Sequence, residues 1–147
     1  MKLFTIGFTK TKTKTTAKNF FDRLKLSGAK KILDVRLNNV SQLAGFAKRD
    51  DLSYFAKTIC GMGYQHMSDL APTKDILDAF KKHKGSWENY EEKFIDLMAN
   101  RRIEKIDREQ FDGECLLCSE DKPHRCHRRL VAEYLKDKWG NVEIEHL

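Results

Sequence analysis

Only two prolines and eight glycines punctuate the 147 residues, too few for a collagen-like or low-complexity chain. No apolar run approaches the roughly 18 to 20 residues of a membrane span. The first such stretch, Leu3 to Phe8, is also too short for the core of a secretory signal. The chain is therefore expected in the cytoplasm and away from membranes. Its four cysteines are too few for a disulfide scaffold, and in a reducing compartment they read as thiols, metal ligands or catalytic groups. No internal repeat or interdomain linker is visible.

What is present suits one compact domain over residues 1–147. Hydrophobic residues make up 40% and charged residues 34%, enough apolar material for one core and too much for a disordered chain. The net charge is +6 and the pI about 9.1, which attracts phosphate-bearing partners over a distance. A nucleic acid or a nucleotide is the partner this balance suggests, although proteins that bind nothing acidic share it.

Periodicity then orders the chain. Met1 to Gly7 reads as a strand, and Ala17, Phe20, Phe21 and Leu24 recur at helical spacing until Ser27 and Gly28 close the turn. Lys31 to Arg36 is a short apolar strand of the buried parallel kind. Leu52, Phe55, Ala56, Ile59 and Cys60 share one helical face, started by Asp50 or Asp51 and stopped by Gly61, so Cys60 is expected in the core. A strand near Tyr64 to Met67 follows, then helices over Lys74 to His83 and Trp87 to about Arg101. Cys115 to Cys118 forms a fourth strand, Leu130, Val131, Tyr134 and Leu135 mark a helix, and Val142 to His146 alternates as an edge strand does. Strands alternating with helices predict an α/β fold, a three-layer α/β/α sandwich around an open, mostly parallel sheet of about five strands.

In such sheets ligands bind beyond the carboxyl ends of the strands, where loops diverge and helix N-termini point inward. That rule selects Gly7 to Thr9, Asp34 to Arg36, His66 to Asp69, and Cys118 to Glu120. Asp34 and Arg36 share one strand face, and a carboxylate at a buried strand end must be paired or functional. The densest cluster runs from Cys115 through Cys118, Ser119, Glu120 and Pro123 to Cys126, His127 and Arg128. Pro123 can lead into the next helix, placing Cys126 and His127 in its first turn, where amide donors and the dipole lower a thiol pKa. The dipole alone contributes only about 0.3–1 kcal/mol, so neighbouring cations must supply the rest.

Three functional readings of this cluster stand beside a purely structural one. One is a thiol or acid-base pocket. Another is a redox pair of Cys118 with Cys126. The third is a zinc site, which the spacing disfavours because Cys115 and Cys118, three apart on a strand, face opposite ways. A phosphatase-type loop is disfavoured by Glu120 and Asp121 beside the thiol, and by His124 at the position that would require arginine. Neither a cofactor nor a metal ligand is assigned. After the first strand, Lys10, Lys12 and Lys14 alternate with threonines, either as a solvated loop or as a hand that holds phosphates. His66, at its strand end, is a candidate for acid-base work.

Cys115-Leu116-Leu117-Cys118-Ser119-Glu120, then Cys126-His127-Arg128, with Thr5-Ile6-Gly7 and Leu33-Asp34-Val35-Arg36, resembles the domain of unknown function 488 family over almost the whole chain. The resemblance implies a three-layer α/β fold and links to nucleic-acid metabolism. In that family the Asp-Val-Arg strand usually continues into a proline and a second arginine. Here it continues as Leu37 to Gln42, which leaves Lys48 or Arg49 to take the second arginine's part.

Two functions remain. In one the chain is an enzyme, with Cys118 or Cys126 as nucleophile, His127 as partner, Arg36 and Arg128 as anion clamps, and Asp34 and Glu120 orienting groups or moving protons. Gly7, Thr9, Lys10, Lys12, Lys14 and His66 would then bind its anionic substrate. In the other it is a nucleic-acid-binding or zinc-supported module without chemistry.

Overall fold

A computed structural model describes residues 1–9, 16–39, 45–120 and 124–147. Strand β1, Lys2–Thr9, sends Leu3 to one face of the sheet and Phe4, Ile6 and Phe8 to the other. Helix α1, Ala17–Ser27, begins where the Thr16 hydroxyl accepts from the Asn19 amide at 3.1 Å and ends at Gly28, whose φ of 74° suits a residue without Cβ. Strand β2 is Lys31–Asp34, α2 is Arg49–Phe55, and β3 is Gly63–His66. Helices α3, Lys74–Lys81, and α4, Trp87–Arg101, are capped by the hydroxyls of Thr73 and Ser86. Strand β4, Glu114–Glu120, leads to α5, His127–Trp139, and the chain closes on β5, Glu143–His146.

The expected alternation and the edge position of the last strand are present, with one correction. Residues Ala56–Cys60 continue α2 as a π-helical turn. The wider turn rotates the residues after Ala56 away from the face predicted at 3.6 residues per turn. Ile59 is consequently exposed, and Cys60 is half-buried, its thiol directed at the Phe21 carbonyl, not in the core.

The five strands form one sheet in the order β3-β2-β4-β1-β5, and every adjacent pair is parallel. Phe20, Phe21, Leu24, Leu52 and Ala56 from α1 and α2 cover one face. Tyr90, Phe94, Met98, Leu130, Val131 and Leu135 from α4 and α5 cover the other. No helix among the described residues is long and apolar enough to cross a membrane.

This order fixes the crevice. The chain leaving β2 passes to the α2 face, whereas the chain leaving the adjacent β4 passes to the α5 face. Two neighbouring strands whose connections part in opposite directions leave a gap at their carboxyl ends.

Packing makes different demands on the two layers and the surface. Phe94→Ala should lower the free energy of unfolding by about 3–5 kcal/mol in urea titration, because Phe94 is fully buried beneath α4 and its loss opens a cavity there. Leu26→Ala, at a position 87% exposed, should change it by less than about 0.5 kcal/mol.

Candidate functional site

A cavity of about 340 Å³ occupies that gap, within the size range of small-ligand pockets. Cys118, Ser119 and Glu120 at the end of β4 and Arg125, Cys126 and His127 at the start of α5 form one side. Leu77, Phe80 and Lys81 of α3 and Trp87 and Tyr90 of α4 form the opposite wall, with Arg36 to Asn38 after β2 at the rim.

Register explains why the thiols meet there. Asp34 lies opposite Leu117, so Cys118 faces the α4 and α5 layer, while Cys115 lies in the α1 and α2 layer. The predicted opposition of these two cysteines is thus observed, and Cys115 takes no part in the site. Cys126 is the N-cap residue of α5, with extended backbone at φ −136° and ψ 138° and no side-chain cap bond, and it lies beside the amide end of the helix.

The Cys118 Sγ, Cys126 Sγ and a His127 ring nitrogen all lie within 4.8 Å of one another. His127 Nε2 is 2.5 Å from the Val35 carbonyl. A carbonyl only accepts, so Nε2 carries the hydrogen, and Nδ1 faces the Cys118 sulfur at 3.5 Å. All three side chains are nearly inaccessible from bulk solvent. Hydrogen bonding to Cys126, followed by burial, pushes the Cys118 thiol well up. Burial also acts to raise Cys126, but bonds from Cys118 and His127 and the nearby charge of Arg128 outweigh it and hold this thiol well below its ordinary value. The two shifts run in opposite directions because the sulfurs lie close enough to act on each other. Two sulfurs and an imidazole whose other nitrogen is fixed by a carbonyl could also hold a soft ion such as zinc, with a fourth position open to the cavity.

Other residues selected from the sequence lie elsewhere. Asp34 and Arg36 form a buried bidentate pair, with Nε and Nη2 at 2.9 and 2.8 Å from the carboxylate oxygens. The guanidinium also donates to the Ala47 carbonyl at 2.7 Å and packs over Phe8, which places it toward the α1 and α2 layer, behind the thiols. Burial works against the Arg36 cation, and Asp34 outweighs it, raising the guanidinium pKa. Tyr64 donates to Asp34 at 2.6 Å; burial first, and then this bond, raises the phenol. The pair is thus neutralised internally, which limits Arg36 as an anion clamp even though the residue borders the cavity.

Arg128 does not border the cavity. Its side chain is fully buried, and it donates to the Glu120 carbonyl and approaches Thr5 Oγ1 at 3.4 Å. Gly7 makes this crossing possible: a Cβ there would collide with the Glu120 carbonyl and come within 2.8 Å of Arg128 Nη1. His66 is exposed and bonds the Arg36 carbonyl at 2.8 Å outside the cavity. Lys48 and Arg49 begin α2 on the other face and do not border it either. The side chain of Thr9, together with Lys10, Lys12, Lys14, Asp121 and Pro123, lies outside the described residues.

Sequence reasoning missed the wall facing the thiols. Trp87, Tyr90 and Phe80 appear in the sequence as ordinary apolar positions of amphipathic helices, and only Lys81, which pairs with Glu120 at 2.9 Å, carries a charge. Among the described residues the net charge at the mouth is positive, with Arg125 exposed and in no ion pair.

The chain is thus an open-sheet, all-parallel α/β protein with a buried dithiol and imidazole at the carboxyl ends of its central strands. It belongs to the family described as Domain of unknown function DUF488, whose model matches residues 16–135. No curated protein and no solved structure matches it.

Two substitutions probe the supports of the site. Asp34→Asn should destabilise by about 3–5 kcal/mol in urea titration, because it leaves the buried Arg36 charge uncompensated. Gly7→Ala should cost at least about 1–3 kcal/mol in the same measurement, since backbone, not a flexible side chain, occupies the space a methyl group would need.

Proposed function

We propose that this protein is a thiol-dependent enzyme acting on a small anionic substrate, with Cys126 as its nucleophile. The observation that carries the reading is the Cys126 sulfur itself: buried yet bordering a cavity, at the first turn of a helix, and held below its ordinary pKa by Cys118, His127 and Arg128. A thiolate is the reactive form of cysteine, and a protein interior stabilises one only where donors and cations converge. Cys118 is the donor that keeps the charge on its neighbour. His127, with Nε2 fixed on Val35, presents its second nitrogen to the sulfurs and can carry a proton between them and a leaving group. Arg125 and Lys81 supply the positive mouth that favours an anion.

A second reading is favoured by the compactness of the Cys118, Cys126 and His127 donors: a zinc-type centre with its open position toward the cavity. Metal analysis of protein purified without chelators separates the two. About one zinc per chain, lost in Cys118→Ser, establishes the centre; metal-free protein with a reactive Cys126 establishes the thiol.

Peptide-resolved alkylation tests the first reading. Cys126 should react with iodoacetamide at pH values below the ordinary thiol pKa of about 8.5, whereas Cys60, pushed up by burial, should react only as the pH climbs past it. Inertness of Cys126 in metal-free protein would remove the proposal. Arg125→Gln should slow the reaction with anionic iodoacetate several-fold and leave that with neutral iodoacetamide unchanged, since the lost charge attracts only the anion.

A further inference from the structure

The wall opposite the thiols contains a hydroxyl that the fold does not use. Tyr90 is 4% exposed and borders the cavity, and its phenolic oxygen makes no hydrogen bond among the described residues. Among the described residues the fully buried side-chain atoms lacking partners are Arg36 Nη1 and Glu114 Oε2, so the Tyr90 oxygen is not sealed in the packing. Tyr90 lines the cavity and its phenol feels both Cys118 and Cys126, which points the hydroxyl toward the thiols across it. Packing fixes the rest of this side chain. Its ring stacks on Trp87 at 4.9 Å and 19°, lies parallel to Phe94 at 6.0 Å and 5°, and packs against Phe80 at 5.3 Å. Three neighbouring rings hold one phenol in one orientation, with its donor end uncommitted.

We propose that Tyr90 is a substrate-binding residue whose hydroxyl donates to a carbonyl oxygen of the substrate, beside the carbon that Cys126 attacks. This rests on the thiol reading above and names the substrate class: a carbonyl compound with an anionic end. The distribution of donors selects it. Cations lie at the mouth, on Lys81 and the exposed Arg125, whereas the donor facing the thiols is neutral. A neutral O–H suits an oxygen that is uncharged in the bound substrate and gains charge only as the sulfur attacks. Burial first, and then the negative character of Cys118 and Cys126, raises the phenol above its usual value, so it keeps its proton and acts as a donor. In the step, a sulfur lone pair forms the C–S bond, the π pair of the attacked bond moves onto the carbonyl oxygen, and the Tyr90 hydroxyl stabilises the resulting oxyanion. No oxidant or reductant is required.

Two electrophiles applied to the full chain test this. N-ethylmaleimide adds to a thiolate through an enolate: the C–S bond forms, the C=C pair shifts toward a carbonyl oxygen, and water then protonates the carbon. Methyl iodide alkylates by displacing iodide and has no carbonyl. Tyr90→Phe should slow modification of Cys126 by N-ethylmaleimide about tenfold, the worth of one hydrogen bond to a developing charge, and leave the methyl iodide rate unchanged. The ratio of the two rates is insensitive to any general loss of thiol reactivity, and a thermal melt confirms that the phenylalanine ring preserves the stack. Equal slowing with both reagents, or no change with either, overturns the role of Tyr90 while the thiol reading stands. If wild-type Cys126 reacts with neither reagent, both fall together. Should Tyr90→Phe melt early, Tyr90→Trp, which keeps the aromatic wall but moves the donor, must show the same selective loss, and retention of the wild-type ratio overturns the proposal.

Discussion

Inserting β4 between β2 and β1 is the constraint on which the cavity depends. A parallel strand cannot be reached by a tight turn, so each connection must cross a face of the sheet, and the connections leaving the neighbours β2 and β4 cross opposite faces. The gap between them lies beyond the carboxyl ends of the strands, where α5 presents its unsatisfied amides. Cys118 enters at the end of one element and Cys126 at the start of the next, so a single strand, loop and helix bring both sulfurs together.

Buried charge supports this arrangement from two sides. Behind the sheet, Asp34 and Arg36 satisfy most of each other's requirements and tie the segment after β2 to Ala47. On the α5 side, Arg128 spans from the helix to Thr5 and the Glu120 carbonyl over the bare backbone of Gly7. Neither guanidinium needs to touch a ligand to matter: one fixes the rim, and the other fixes the helix and adds positive potential beneath the Cys126 sulfur.

The order and type of the elements were legible because burial on both faces gives the strands short apolar runs and leaves the helices a 3.6-residue period. The separation of Cys115 from Cys118 followed from strand geometry alone. Which residues would share the cavity was less legible. Asp34, Arg36 and Cys118 all stand at strand ends, but the pairing of Asp34 with Leu117 puts the ion pair and the thiol on opposite faces, and register between distant strands is not written in either one. Arg128 could be read as a surface clamp because a buried arginine announces itself only through its contacts. Tyr90 and Trp87 follow the period of an amphipathic helix, which marks a residue as inward-facing without telling core from cavity wall. The rotation of Ile59 and Cys60 was hidden for a related reason, since a π-helical turn leaves no compositional trace.

The sheet's outer strands have a consequence for encounters between copies of the chain. Each of β3 and β5 is four residues long, and each exposes a row of backbone donors and acceptors to solvent. On β5, Glu143 and Glu145 project on the same side, where Lys2 pairs with both. A further strand seeking to extend the sheet there would gain only a few ladder bonds while crowding against carboxylates already engaged at home, so brevity and charge guard that edge.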